Sequence, residues 1–455
     1  TMTSMSPDAK RDRIIEAVKR ITLKGSEIRP LVMAIEDLHW IDKSSEEYYK
    51  NLIDSIAGAR IFLIFTYRPE FVHTWGGKSY HNQVNLNRLS NGESLSMVSH
   101  LLGSDNLDMD LENLILDKTE GVPFFIEEFI RSLKKLRLIE AINNKYHLIK
   151  NIQGVAIPVT INDVIMARVD TLPEDAKKLL QIGSAIEREF QYELIKEVME
   201  ISEKELLSYL SVLKDTELLY ERGIFPETTY IFKHALTREV LYNSILSKQK
   251  KRLHGNIGKA IEKLYKENIY DFYEVLAKHF IIDENFEKGA NYSNYLAKKA
   301  EKAVSLNDAI AYLQDRISCL NKLPQTENVQ NKIIDTRTSL GLYQTQMTNW
   351  IKAKNAIDPV IELAIAQDYK RRLSQIYTII GAHNMWIEED IPVAIANLNK
   401  AIKISEEVGD FISLVLANYH LGGTLAYNSE FEKSDLCYKK AIDINLAANN
   451  LWGVS

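Results

Sequence analysis

The chain has 455 residues, with 56 Lys and Arg against 62 Asp and Glu, a formal charge of −6 and a pI near 6.0. That balance excludes a global positive field that would draw it to nucleic acid or an anionic membrane, and leaves proteins and small ligands as the expected partners. Hydrophobic residues at 45% and charged residues at 26% exclude a disordered chain and suit about three globular domains. Cys319 and Cys437 stand far apart without metal spacing. They read as core-filling thiols, argue against a disulfide frame and point to a reducing, cytoplasmic setting. The longest apolar runs, such as 61–65, are far short of the roughly 20 residues of a membrane helix. No signal-peptide pattern opens the chain, and its start at Thr1 leads us to expect a piece of something longer.

Residues 7–24 carry a helical pattern (Ile14, Ile15, Val18, Ile21), which Gly25 and Pro30 are expected to break before a buried apolar strand, 31–36. Asp42 to Ser45 can cap a helix over 45–57, ended by Gly58, before a second apolar strand, 60–66. Two apolar strands joined by a helix predict a parallel βαβ unit with one shared carboxyl edge. From 93 to about 140 the pattern is helical, punctuated by Gly121-Val122-Pro123, and two short β-prone pieces follow around Asn143-Asn144 and Gly154. Helices are expected at 161–171, 173–185, 190–199 and 203–216. A hairpin of 218–220 and 229–232 around a turn at 223–228 then suggests a winged helix.

Beyond about 250 the chain reads as helical throughout, with a repeat in its small residues. Leu340-Gly341, Ile380-Gly381 and Leu421-Gly422 recur, followed by Ala353, Ala394 and Ser434 and then by Val360, Ala401 and Ala441. Small residues at these places let paired helices approach closely, while Ile357, Leu398 and Tyr438 fill the gap between them. This fits tetratricopeptide-like helix pairs, with a degenerate earlier unit over 288–322 that puts Ala309 and Leu313 in the equivalent places. No polar capping helix precedes Ser455, which again suggests a piece of a longer chain.

The chemistry-bearing string is Leu31-Val32-Met33-Ala34-Ile35-Glu36-Asp37-Leu38-His39-Trp40, an apolar run ending in two adjacent carboxylates. Such acids could simply cap the loop after a strand. The order of strand, acid pair, helix, second strand and Thr66-Tyr67-Arg68 instead matches a Walker B site, where one acid helps hold Mg²⁺, its neighbour polarises the attacking water and an arginine senses the γ-phosphate. His39 and Trp40 read as loop packing. A Walker A loop, G-x-x-x-x-G-K-[ST], is absent: Gly77-Lys78-Ser79 matches only its end, with Val72 where the first glycine belongs and no strand before it. Pro123 suits a first helical turn on its own account. His234 reads first as a core or capping histidine. Residues 158–252 hold 14 Lys and Arg against 16 Asp and Glu, a net of −2, which disfavours DNA as the winged helix's partner. The run Lys248, Lys250, Lys251 and Arg252 reads as a solvated helix face.

Taken together, the string 31–42, Thr66-Tyr67-Arg68-Pro69-Glu70-Phe71, Glu120-Gly121-Val122-Pro123-Phe124-Phe125-Ile126-Glu127-Glu128 and Phe232-Lys233-His234-Ala235-Leu236-Thr237-Arg238-Glu239-Val240-Leu241-Tyr242 closely resembles one family. It is the STAND-type AAA-like P-loop ATPase with winged helix and tetratricopeptide repeats, of the kind found behind class III adenylyl or guanylyl cyclase domains, as in soluble adenylyl cyclase. The resemblance implies ATP or ADP with Mg²⁺ as ligands, Glu36 and Asp37 for the metal and the water, Arg68 as a sensor, Pro123 beside adenine and His234 near the phosphates. The chain departs from the family pattern in lacking the phosphate-binding loop and any output domain.

The expected fold is therefore multidomain and mostly α, with a partial α/β P-loop ATPase domain, a winged helix and an α-solenoid of TPR-like repeats. The expected divisions are 1–90 for the later part of the ATPase core, 91–157 for a helical lid and linker, 158–250 for the winged helix, 251–287 for a helical linker and 288–455 for the repeats. The expected function is that of a signal-transducing ATPase fragment whose repeats bind a protein or peptide and whose complete form regulates a linked cyclase or other output. The alternative is a non-enzymatic scaffold on which a remnant ATPase fold only supports the repeats.

Overall fold

A computed structural model describes residues 7–73, 75, 77–142, 145–149, 160–223, 228–303 and 305–447. The described chain is mostly helical, and none of its described helices is long and apolar enough to cross a membrane. It divides into two compact units, residues 1–81 with 270–455 and residues 82–269.

The first unit opens with helix α1 (Pro7–Ile28), strand β1 (Leu31–Ile35), helix α2 (Lys43–Ile53) and strand β2 (Ile61–Phe65). The strands pair in parallel with Leu31 opposite Ile61 and Ile35 opposite Phe65, the expected βαβ arrangement. Asp42 caps α2 by accepting the Ser45 amide at 2.9 Å. Two expectations need correction. Helix α1 runs through Gly25, because an isolated glycine lowers helix stability without ending it, and stops where Pro30 disfavours the α conformation of the residue before it. The strands are also less buried than an apolar run suggests. Ile35, Leu63 and Phe65 pack with buried Leu38, Ile53 and Trp75, whereas Val32, Phe62 and Ile64 on the opposite face stay 68%, 63% and 40% exposed.

The second unit begins with α3 (Asn91–Leu102), α4 (Met109–Thr119) and α5 (Pro123–Lys135), which close a core around Val98, Leu111, Ile115, Ile126 and Phe129. Gly121 has φ +72°, and a Cβ there would stand 2.2 Å from the Leu89 carbonyl oxygen, so only glycine fits. Leu89 in turn donates its amide to the Gly121 carbonyl at 2.8 Å. Strands β3 (Ile139–Ile142) and β4 (Lys145–Leu148) form the antiparallel hairpin expected around Asn143-Asn144. The β-prone piece around Gly154 lies outside the described residues.

Helices α6 (Ile161–Val169) and α7 (Glu174–Ile186) lead to β5 (Glu189–Gln191), α8 (Tyr192–Met199), α9 (Glu203–Asp215), β6 (Leu219–Arg222) and β7 (Thr229–Phe232). The expected hairpin, β6 with β7, gains a third strand, so the sheet order is β5-β7-β6. Residues 190 and 191 are expected to start a helix over 190–199, yet they belong to strand β5, which at three residues is too short to carry an alternating pattern. Their pairing with β7 and the insertion of Phe190 against Gly183 decide for strand. Helices α10 (Ala235–Ser244) and α11 (Ser247–Leu264) complete this unit, and Lys250 covers the Tyr242 ring at 4.2 Å.

The first unit resumes with α12 (Tyr273–Ile282), α13 (Phe286–Lys302), α14 (Leu306–Leu320), α15 (Glu327–Gln346) and α16 (Trp350–Ile357), with Pro359 interrupting the run before α17 (Ile361–Ala366). There follow α18 (Lys370–His383), a π-helical turn at Asn384–Glu388, α19 (Ile391–Val408), α20 (Phe411–Tyr427) and α21 (Phe431–Ala447). The small-residue pattern sets how these helices pair. A Cβ on Gly341 would stand 2.9 Å from Ile357, one on Gly381 2.6 Å from Leu398, and one on Gly422 3.1 Å from Tyr438. Ala353, Ala394, Ala401 and Val360 are 1% exposed or less. Ser434 donates its hydroxyl to the Gly422 carbonyl at 2.7 Å, a bond alanine could not make. In the degenerate unit Ala309 and Leu313 are likewise buried, and Cys319 packs against Gly289, its thiol pushed up to about 11 by burial.

Candidate functional site

At the carboxyl edge of β1 and β2 one residue organises the turn. Thr66 donates its amide to the Ile35 carbonyl at 3.0 Å and accepts the Leu38 amide on its own carbonyl at 2.8 Å. Its hydroxyl accepts the Asp37 amide at 3.1 Å. Asp37 sits in the left-handed region at φ 55°, ψ 41°, which aspartate tolerates better than most residues. Leu38, 1% exposed, is driven into the core beneath, so the backbone reverses and leaves Glu36 exposed and Asp37 half-buried at the strand end. The exposed Arg68 lies on the same edge with its guanidinium 5.9 Å from the centre of the Trp40 ring. Trp40 itself is 68% exposed, and its neighbour His39 has both ring nitrogens buried without a hydrogen-bond partner.

Two adjacent carboxylates suit a hard cation such as Mg²⁺, which is commonly bound through one or two carboxylates together with substrate phosphates. Among the described residues no group of three or more His, Cys, Asp or Glu gathers in a way that could hold a metal by itself. Lys78, in the glycine-containing loop that mimics a phosphate loop, is instead ion-paired with Asp54 at 2.8 Å.

In the second unit Pro123 occupies the first turn of α5, where its missing amide donor costs nothing. The next residue, Phe124, brings its ring to 4.0 Å from the ring of His234. His234 precedes α10 at the N-cap position but makes no side-chain cap bond. Its Nε2 is buried without a partner, and burial, helped by the Lys233 charge, lowers its pKa below 6.5. Phe124 and His234, 110 positions apart in sequence, thus meet at one place. Glu36, Asp37 and Arg68 belong to the first unit, and Pro123 and His234 to the second.

The carboxylates after Phe124 are structural. Glu128, 2% exposed, takes two 2.6 Å bonds from Arg168, which also donates to the Thr216 carbonyl. Glu127 receives Arg131 at 2.8 Å, Arg131 also reaches Glu217 at 2.6 Å, and Lys233 meets Glu217 at 2.8 Å. Lys233 and Arg131 hold the Glu217 carboxyl down at about 2. This network borders a pocket of about 310 Å³ between α5, α6 and the end of α9, which neither Pro123 nor His234 lines. The sequence reading missed the network, since partners 40 and 86 residues apart leave no local spacing to detect. It also missed Thr66 as the clamp on Asp37, although the Thr-Tyr-Arg string was the signal for it.

Residues 90–147 match the family model of a domain of unknown function (DUF8739). An uncharacterized protein of Rhizobium meliloti (strain 1021) is 22% identical over 345 residues, which cover 74% of this chain and 32% of that protein. The chain thus spans about a third of the length of that curated relative. Among solved structures, the chain is similar to a signal transduction ATPase with numerous domains and a tetratricopeptide repeat sensor from Pyrococcus horikoshii. The identity is 15% and the TM-score 0.39, covering 96% of this chain and 65% of that one. BtubC (BKLC) from P. vanneervenii is also similar, at 15% identity and a TM-score of 0.32, over 47% of this chain and 86% of that one.

Proposed function

We propose that this chain is part of a signal-transducing, ATP-dependent regulator of the STAND type, a cytoplasmic protein whose complete form controls a linked cyclase or another output domain. The observation that carries the reading is the turn that Thr66 holds at Asp37. It fixes two acids and Arg68 on the carboxyl edge of a parallel strand pair, the edge at which open α/β sheets bind ligands. In this reading Asp37 and Glu36 hold Mg²⁺ and orient the attacking water, and Arg68 answers to the γ-phosphate. Pro123 borders the adenine, and His234 stands near the phosphates, its unpartnered Nε2 being the group that a ligand would satisfy. Bound Mg²⁺ supplies charge neutralisation on the phosphates.

The uncovered face of β1 and β2 supports placing them in a larger P-loop sheet, because parallel strands are ordinarily covered on both faces. The order of α6 to β7, with its three-stranded sheet, supports a winged helix over 158–250. Its net negative charge favours a protein contact over DNA. The stacked helix pairs support the repeats as the part that binds a protein or peptide.

Calorimetric titration of Mg·ATP into this chain, into the natural protein that contains it and into the Asp37→Ala form of each tests the reading. Binding by the natural protein that Asp37→Ala abolishes supports it. No binding by the natural protein sinks it and leaves the second reading, a scaffold carrying a silent ATPase remnant. That second reading rests on the absence of any G-x-x-x-x-G-K-[ST] string in this sequence. Without that loop's amides and lysine the β- and γ-phosphates lose their cradle, so this chain alone is expected to bind ATP weakly or not at all.

A further inference from the structure

Between α14, α15 and α16 lies a pocket of about 350 Å³ whose chemistry the nucleotide reading does not use. Arg337, Leu340 and Gln344 line it from one face of α15, Lys352, Asn355 and Ala356 from α16, and Gln314 and Ile317 from α14. Two cations face it, and no carboxylate lines it. Arg337 is half-buried and spends one donor on the Ala356 carbonyl at 3.1 Å, with no acid beside it. That is an unusual state for a guanidinium, since buried charges are ordinarily paired. Gln344 is 8% exposed, yet its Oε1 has no hydrogen-bond partner. An unpaired buried acceptor carries a desolvation cost that only a donor can relieve.

We propose that this pocket binds a small hydroxylated phosphomonoester. Arg337 supplies a planar fork and Lys352 a point charge, and together their two positive charges match a phosphate that carries between one and two negative charges near neutral pH. The phosphoryl oxygens of a phosphomonoester dianion, like those of a carboxylate, carry no proton to give Gln344, whereas a hydroxyl elsewhere on the ligand does. Gln314 and Asn355 offer further amide donors and acceptors, and Leu340, Ile317 and Ala356 form an apolar floor for the carbon skeleton. At about 30 Å³ per water molecule the pocket has room for a ligand of roughly hexose-phosphate size. The site lies wholly within the helical repeats of the first unit and does not depend on the Walker B reading.

The test is calorimetric titration of this chain, with chelator and without nucleotide, using glucose 6-phosphate, inorganic phosphate and glucose at constant ionic strength. Glucose 6-phosphate is expected to bind, inorganic phosphate to bind more weakly and glucose not to bind. Lys352→Gln, at an exposed position, and Arg337→Gln are each expected to weaken glucose 6-phosphate by about tenfold or more. Gln344→Leu should weaken glucose 6-phosphate by a distinctly larger factor than inorganic phosphate, which has no carbon-borne hydroxyl to place against Gln344. Should Arg337→Gln unfold, Lys352→Gln decides, because that side chain holds no neighbour. Absence of saturable binding by either phosphate overturns the proposal, as does binding indifferent to Lys352→Gln. Equal binding of the two phosphates, unmoved by Gln344→Leu, overturns the assignment to a hydroxylated ester.

Discussion

The Thr66 hydroxyl accepts the amide of Asp37 at 3.1 Å, and this bond ties the end of one parallel strand to the acid turn after the other. The bond uses the Asp37 backbone amide and not its side chain, so the hold on the turn can be tested separately from the carboxylate. Thr66→Val keeps the shape and removes the acceptor, so a loss of about 0.5–1.5 kcal/mol is expected in urea denaturation. Asp37→Asn keeps a residue at ease with φ 55° and should leave stability within about 0.5 kcal/mol. On the proposed ATPase reading, the same change should abolish Mg·ATP binding by the natural protein. A large stability loss in Asp37→Asn would show that the carboxylate itself holds the turn.

Close helix approach in the repeats predicts a ranking of glycine substitutions. A Cβ at Gly381 would reach to 2.6 Å of Leu398, while one at Gly422 would meet Tyr438 at 3.1 Å. Gly381→Ala should therefore cost about 1–3 kcal/mol by overpacking, and Gly422→Ala distinctly less. Leu398→Ala alone opens a cavity, yet combined with Gly381→Ala it should recover part of the loss, and urea melts of the four proteins measure that coupling. Additive effects would mean that the two side chains do not share this gap.

The repeats were legible in the sequence because each small residue answers a large one a fixed distance away, a pattern that helix geometry alone imposes. The βαβ unit was legible for the same reason, since its apolar runs and a capping Asp42 are local signals, although α2 ends at Ile53, four residues short of the end at 57 expected from Gly58. Strand β5 was not, since its conformation is decided by pairing with β7 some 40 residues later. The exposure of Val32, Phe62 and Ile64 was equally hidden, because a residue's own apolarity does not say whether a neighbour covers it. Around the candidate site, the place of Glu36, Asp37 and Arg68 just after two parallel strands was readable, whereas the contact of Phe124 with His234 depends on how the second unit folds.

His234 gives a pH-dependent test of that contact. Burial disfavours its charged form, so folding favours the neutral imidazole. Its stabilising contribution is then complete above the unfolded value near 6.5 and declines as pH falls from there towards the lower folded value. His234→Phe keeps a ring against Phe124 and removes the titration. The variant's stability should fall less steeply than the wild type's below pH 6.5, as measured by denaturant midpoints across the acid range. Proton NMR of the His234 ring should give a midpoint below the ordinary one, and a midpoint above it would contradict the burial described.

The paired charges on α5 predict two very different costs from similar-looking substitutions. Glu217 is 47% exposed and exchanges its contacts with water easily, so Glu217→Gln should cost at most about 1 kcal/mol at neutral pH. Because its folded pKa is depressed to about 2, its contribution is complete above the unfolded value near 4.5 and is lost as pH falls through that interval. Glu128 is 2% exposed and depends on Arg168, itself 15% exposed. Arg168→Met would strand that carboxylate without a counter-charge and should cost about 3–5 kcal/mol. Adding Glu128→Gln to Arg168→Met removes the stranded charge and should restore a substantial part. Thermal melts of the single and double variants decide the matter: a double variant as unstable as Arg168→Met alone would mean that Arg168 acts mainly through the Thr216 carbonyl, which it also holds.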